Sequence, residues 1–139
     1  MMNKSVKLGI QGRPDVPPRL FDLVPRYIEK YGYKDCLFAG KVNKQWVKYD
    51  GKKFYEITNS ISYGLLKLGV KKGDRIALIA NNAPEWNMID FAIQQVGAIC
   101  IPIYPTISHD DYKYIFNHSE ASIAFITNKH FYSKVADIL

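Results

Sequence analysis

Arg75-Ile76-Ala77-Leu78-Ile79-Ala80-Asn81-Asn82-Ala83-Pro84-Glu85-Trp86 is the stretch that decides the fold. The run after Arg75 is wholly apolar to Ala80, as a strand buried on both faces should be. Asn81 to Glu85 then opens a helix. Asn can cap, Pro suits the first helical position, and Glu suits the positive helix end. Trp86, Ile89, Ile93 and Val96 recur at helical spacing, and Gly97 ends the helix. Ala98–Tyr104 reads as a second buried strand. Ser108 caps the next helix, and Ser108-x-x-Asp111 has the capping-box pattern. Its core face is Tyr112, Ile115 and Phe116. Ser122–Thr127 reads as a third strand. Asn128 caps a last helix with Phe131, Val135 and Ile138 on one face. Strands alternating with helices predict an α/β fold, a βαβαβα unit whose parallel sheet has right-handed crossovers.

Upstream, Lys53 to Leu68 is the clearest helix. Phe54, Ile57, Ile61, Leu65 and Leu68 share one face, and Gly69 stops it. Gly73-Asp74 turns the chain into the first parallel strand. Cys36–Val42 and Gln45–Tyr49 flank Asn43-Lys44 and predict a β-hairpin. Leu20 to Tyr31 reads as a helix with Leu20, Leu23, Val24, Tyr27 and Ile28 on its stripe, Pro25 in the first turn and Gly32 as its stop. Residues 1–19 are polar, carry Pro14, Pro17 and Pro18, and read as an extended or partly disordered arm.

The 139 residues are 47% apolar and 14% aromatic, enough for a packed core. The net charge of +6 is unevenly placed, with +9 over residues 1–75 and −3 over residues 76–139. A basic half can meet anionic lipid, a phosphorylated cofactor or nucleic acid, but a solvated lysine surface is the simpler account and the one expected here. No nucleic-acid motif accompanies the charge, so no nucleic-acid partner is expected. Cys36 and Cys100 are unpaired in sequence and lie in apolar stretches, which predicts buried thiols in a reducing compartment. There is no signal core and no apolar run of membrane-spanning length, so a soluble, cytoplasmic chain is expected, with contact at a membrane surface left open.

There is no dinucleotide fingerprint, no Walker loop and no nucleophile elbow. His109, His118 and His130 share no metal-ligand spacing, and Asp110-Asp111 suits a helix start. No catalytic or metal-binding residue is expected. Ligands of open parallel sheets bind beyond the carboxyl ends of strands. There Asn81, Asn82, Tyr104 and Thr106 are the candidate site residues, although capping and turn formation would account for them too.

Two segments together resemble the adenylate-forming, AMP-binding superfamily, most closely its long-chain fatty-acid:CoA ligase branch. The first runs Leu68-Gly69-Val70-Lys71-Lys72-Gly73-Asp74-Arg75-Ile76-Ala77-Leu78-Ile79 into Asn81-Asn82-Ala83-Pro84-Glu85-Trp86. The second is Gly97-Ala98-Ile99-Cys100-Ile101-Pro102-Ile103-Tyr104-Pro105-Thr106, whose Ile-Tyr-Pro-Thr wording suggests the fatty-acyl branch. Trp46-Val47-Lys48-Tyr49 and the helix after it resemble the family's opening hairpin and first helix. The resemblance covers about residues 20–139, which would be the N-terminal part of a larger AMP-binding domain. It implies a parent enzyme that uses ATP and Mg2+ to convert a fatty acid or other carboxylate to acyl-AMP and then passes the acyl group to CoA. The family's phosphate loop, adenine and metal segment, ribose-binding Asp and catalytic Lys lie downstream of this region. No catalytic residue is therefore carried over, and tight binding of ATP, Mg2+ or CoA to this stretch alone is not expected. Gly69, Gly73, Asn82, Pro84 and Gly97 carry over as turn and helix-start residues. Cys100 and Ile101 stand where the family often has Val.

The last helical pattern runs to Leu139 without a cap, Gly or Pro, so Leu139 is expected to be a boundary within a longer chain. A truncated sheet would leave an apolar edge uncovered and favour self-association or marginal stability. A homodimer stays open. The other readings are a free-standing α/β binding module and part of another adenylate-forming enzyme, such as a peptide-synthetase adenylation domain or an aryl-CoA ligase.

Overall fold

The structure, a computed structural model, describes residues 19–139. The arm expected over residues 1–19 lies outside the described residues, apart from Arg19. A 3-10 turn at Leu20–Asp22 leads into α1 (Leu23–Tyr31). The hairpin follows, β1 (Phe38–Val42) and β2 (Gln45–Tyr49), and then α2 (Gly51–Lys67). The remaining elements are β3 (Arg75–Ile79), α3 (Pro84–Gln95), β4 (Ile99–Ile103), α4 (His109–Ser119), β5 (Ile123–Ile126) and α5 (Lys129–Ser133). The architecture is the expected one, an antiparallel hairpin beside a parallel three-stranded sheet, and the strand order is β4-β3-β5.

β3 is the centre of the core. Its side chains alternate between two apolar clusters. Ile76 and Leu78 pack with Leu65 of α2 and with Ile89 and Ile93 of α3. Ala77 and Ile79 pack on the other face with Tyr112 and Phe116 of α4, and with Phe131 and Val135 at and beyond α5. A third cluster, of Val24, Phe54, Met88 and Phe91, ties α1 and the hairpin to α2 and α3. Within it Phe38 stacks on Phe54, whose ring meets Phe91 edge-on.

Helix ends follow local chemistry. Asp50 caps α2 by accepting from the Lys53 N–H at 2.7 Å. Ser108 and Asp111 form the expected reciprocal box, and Asn128 accepts from the Phe131 N–H. α2 closes with two nested bonds, Gly69 N–H to Leu66 O and Val70 N–H to Leu65 O. Gly69 supplies the left-handed φ of 86° that this closure needs.

Several expectations change. Leu68 is 73% exposed, not part of the α2 stripe. The Gly69 closure reverses the chain there, and Val70 takes the buried place against Leu65. Neither Asn81 nor Asn82 caps α3. Pro84 takes the first helical position, which makes Ala83 the N-cap, with no side-chain bond. β4 lies at the edge of the described three-stranded sheet and is not fully buried; Pro102 is exposed there, where its missing N–H costs no bond to β3. On α1 only Val24 is buried, and Leu20 and Leu23 face solvent. β1 starts at Phe38, which leaves Cys36 ahead of the strand and exposed. α2 starts at Gly51, earlier than the pattern implied. Its buried face includes Thr58 and Ser62, whose hydroxyls donate to carbonyls one turn back.

Leu65 is 1% exposed. Leu65→Ala is expected to cost about 2–5 kcal/mol in urea unfolding, and Leu68→Ala less than about 0.5 kcal/mol. Equal losses at the two positions would contradict the Gly69 closure.

Candidate functional site

The order β4-β3-β5 dictates where a crevice opens. α3 leaves the carboxyl end of β3 toward the face covered by α2. α4 leaves the neighbouring strand, β4, toward the opposite face. The two loops diverge, and the space between them is a topological switch point. A cleft of about 500 Å³ lies there. Asn81, Asn82, Tyr104 and Thr106 all line it, so the structure brings the four sequence-predicted residues together. Trp86, Ile103 and Pro105 complete its apolar wall. Two further clefts, of about 440 and 380 Å³, open between the hairpin and the start of α3, and Asn82, Ala83 and Pro84 border both.

Side chains from outside the cleft hold its loops. The Tyr112 hydroxyl donates to the Tyr104 carbonyl at 3.3 Å, and burial pushes the Tyr112 phenol pKa up. Lys134 Nζ donates to the Pro105 carbonyl at 3.0 Å. His109 Nε2 and Asp137 Oδ2 lie 2.9 Å apart, joining the start of α4 to the last residues. The Asp137 carboxyl is held below its ordinary range, first by its own backbone N–H and then by His109. On the other wall, the Tyr49 hydroxyl donates to Glu85 Oε1 at 2.9 Å, which raises the Tyr49 pKa. A Cβ added at Gly40 would stand 2.8 Å from Pro84 Cδ, so the hairpin backbone rests directly on the first turn of α3.

The cleft can offer amide and hydroxyl hydrogen bonds beside an indole and two prolines. No side chain lining it is charged. A nucleoside triphosphate with its magnesium needs cations against phosphate and carboxylates against metal. The four site residues supply neither. Among the described residues, no three His, Cys, Asp or Glu side chains group with metal-binding geometry. Cys100, on the half-covered edge strand, has a thiol pushed up to about 12, first by burial and then by its hydrogen bond with Asp90. Gln94 donates to the same Asp90 carboxylate at 2.7 Å.

The family model described as AMP-binding enzyme matches residues 25–138. The chain belongs to this family. It is 37% identical over 75 residues to the long-chain-fatty-acid–CoA ligase FadD15 of Mycobacterium bovis, covering 54% of this chain and 12% of that protein. It is 32% identical over 100 residues to fatty acyl-CoA synthetase A of Dictyostelium discoideum, covering 71% and 15%. With long chain acyl-CoA synthetase 4 of Arabidopsis thaliana it shares 28% over 148 residues, covering 88% and 22%. The chain thus spans about an eighth to a fifth of the length of these relatives. In fold it matches the anthranilate CoA ligase AuaEII, solved with anthranoyl-AMP, at TM-score 0.72 and 21% identity over 89% of this chain and 23% of that one. It also matches the fatty acid AMP ligase of Legionella pneumophila at TM-score 0.68 and 18% identity, covering 79% and 20%. The α/β unit with its opening hairpin is therefore a piece of AMP-binding enzyme architecture.

Sequence reasoning placed Trp86 on a helix stripe and missed it as cleft wall. Its position one turn into a helix that opens at a strand end was the available signal. Lys134 and Tyr112 act on the cleft through carbonyls 29 and 8 residues away. Such links arise from packing, and nothing local in this AMP-binding enzyme sequence announces them.

Lys134→Met is expected to speed amide hydrogen exchange at Tyr104, Thr106 and Ile107 about fivefold to tenfold, the loss of roughly 1 kcal/mol of hydrogen bonding. Unchanged exchange would remove Lys134 from its supporting role. The cysteines should separate as well. Burial holds the Cys100 thiol protonated well above the usual thiol range, so at pH 8 alkylation should mark exposed Cys36 first and reach Cys100 more slowly. Mass spectrometry after iodoacetamide gives the order, and equal labelling at pH 8 would contradict the half-buried placement of Cys100.

Proposed function

We propose that this chain is the opening part of an AMP-forming acyl-CoA ligase that acts on long-chain fatty acids. The observation that supports this is the match over residues 25–138, together with relatives named as long-chain acyl-CoA ligases. In the proposed reaction a carboxylate oxygen attacks the α-phosphorus of ATP, pyrophosphate leaves, and acyl-AMP forms. The CoA thiolate then attacks the acyl carbon, AMP leaves, and a thioester results.

The role proposed for residues 19–139 is a wall of the larger active-site domain. The uncharged crevice positions neighbouring groups by hydrogen bonding and apolar contact. It has no means to neutralise the charge that gathers on a phosphoryl group in transit. The cations and metal ligands for that step belong to other residues of the parent chain. On this reading residues 1–139 alone have no ligase activity.

ATP–pyrophosphate exchange tests both parts. The natural chain in full should show exchange driven by palmitate, with little response to benzoate, anthranilate or free amino acids. Residues 1–139 alone should show none. Exchange driven instead by an aryl acid or an amino acid would assign the chain to another adenylate-forming activity. Exchange by residues 1–139 would overturn the scaffold role.

A further inference from the structure

The β1–β2 hairpin has two unlike faces. Its register sets Phe38 against Tyr49 and Gly40 against Val47, on the side turned to α2 and α3. It sets Lys41 against Trp46 and Ala39 against Lys48 on the alternate side, where Ala39, Lys41 and Trp46 also border the cleft of about 380 Å³ shared with the start of α3. Asn43 and Lys44 make the turn with φ of 50° and 66°, which holds Lys44 at the tip. Residues 38–49 carry three lysines and no carboxylate.

Lys41, Lys44, Trp46 and Lys48 are all exposed, and Trp46 keeps 65% of its surface in water. Lys41 Nζ lies 5.0 Å from the centre of the Trp46 ring. Among the described residues none of these lysines is in an ion pair, whereas Arg19, Arg26 and Arg75 each meet a carboxylate. Two acids beside the hairpin are engaged elsewhere. Asp50 caps α2, and Glu85 takes the Tyr49 hydroxyl on the inner face. Val42 adds an exposed apolar side chain at the tip.

We propose that the lysine-bearing face and tip of this hairpin dock on an anionic phospholipid surface. An indole flanked by lysines has the chemistry of the membrane interface: the ring sits at headgroup depth and the ammonium groups meet phosphate. The charge distribution agrees, because the basic excess lies in residues 1–75 and the rest of the chain is net acidic. A single-stranded nucleic acid would call for a groove with several stacking rings. A narrow ribbon with one indole and an aliphatic tip suits insertion at a bilayer surface better. This surface does not depend on the ligase activity proposed above.

The test is co-sedimentation of the natural chain in full with phosphatidylcholine vesicles, with and without phosphatidylglycerol. Binding is expected only with phosphatidylglycerol, and it should weaken as salt rises. Lys41→Gln, Lys44→Gln and Lys48→Gln should each lower the partition coefficient about fivefold. Vesicles should shift Trp emission to the blue, and that shift should vanish in Trp46→Phe. Trp46→Ala should bind more weakly with an unchanged melting curve, since the side chain has little packing to lose. Four outcomes would each overturn the proposal: equal binding to neutral vesicles, unchanged binding when Lys41→Gln, Lys44→Gln and Lys48→Gln are combined, no Trp46 shift because other chain segments or a second copy cover the face, or tighter binding to a single-stranded oligonucleotide than to vesicles.

Discussion

Ile76 and Leu78 point to one side of the sheet, Ala77 and Ile79 to the other, and all four are sealed from water. A strand so placed must have helices on both faces, because each exposed half would cost roughly 25 cal/mol per Å² of apolar surface left wet. With β4 and β5 on either side of β3, the chain meets this demand by sending α3 to one face and α4 to the other. The crevice between their opening loops is a consequence of that divergence. The candidate site is thus a by-product of how the core is covered, and its four polar residues sit where no helix can fill the space.

The walls of the crevice are braced from both sides. On one, Gly40 lets the hairpin lie against Pro84, and Tyr49 reaches Glu85 one residue further along α3. On the other, Tyr112 and Lys134 hold consecutive carbonyls of the loop after β4. These braces differ in kind. The Gly40 contact is steric and strict, since any side chain there would press into a proline ring. The Lys134 contact is a single charge-assisted hydrogen bond from a long, partly exposed side chain, and it yields more easily. The loop bearing Tyr104 and Thr106 is therefore the softer wall.

Much of this was legible in the sequence, for reasons tied to particular residues. The apolar run after Arg75 could belong only to a doubly covered strand, Pro84 fixed a helix start, and Ser108 with Asp111 spelled out a reciprocal cap. The errors also have local causes. Leu68 keeps the helical period of Phe54 and Leu65, but Gly69 turns the chain one residue later, and periodicity does not see a closure. Pro102 was a readable sign that β4 lies at an edge, and the apolar residues around it masked that sign. Capping by Asn81 or Asn82 failed for a simple reason: a proline at the first helical position assigns the cap to the residue just before it. The four crevice residues came together because strand-end loops have a known place in such sheets. The residues that brace them did not, because hydrogen bonds to distant carbonyls leave no local pattern.

Charge is distributed in a way that separates the crevice from the hairpin face. The crevice is lined by amides, hydroxyls and rings with no charged side chain, while the hairpin face presents unpaired lysines around an indole. In a low-dielectric cleft, hydrogen bonds from neutral groups fix orientation without a large desolvation cost, which suits a wall that positions. Ammonium groups on a solvated ribbon keep their hydration and reach an anionic surface at long range, which suits a surface that docks. Exchanging the two sets would harm both. A lysine in the crevice would need a counter-charge that its neighbours cannot provide, and a neutral hairpin would lose its attraction to phosphate. The segregation is thus consistent with two separate roles carried by one small α/β unit.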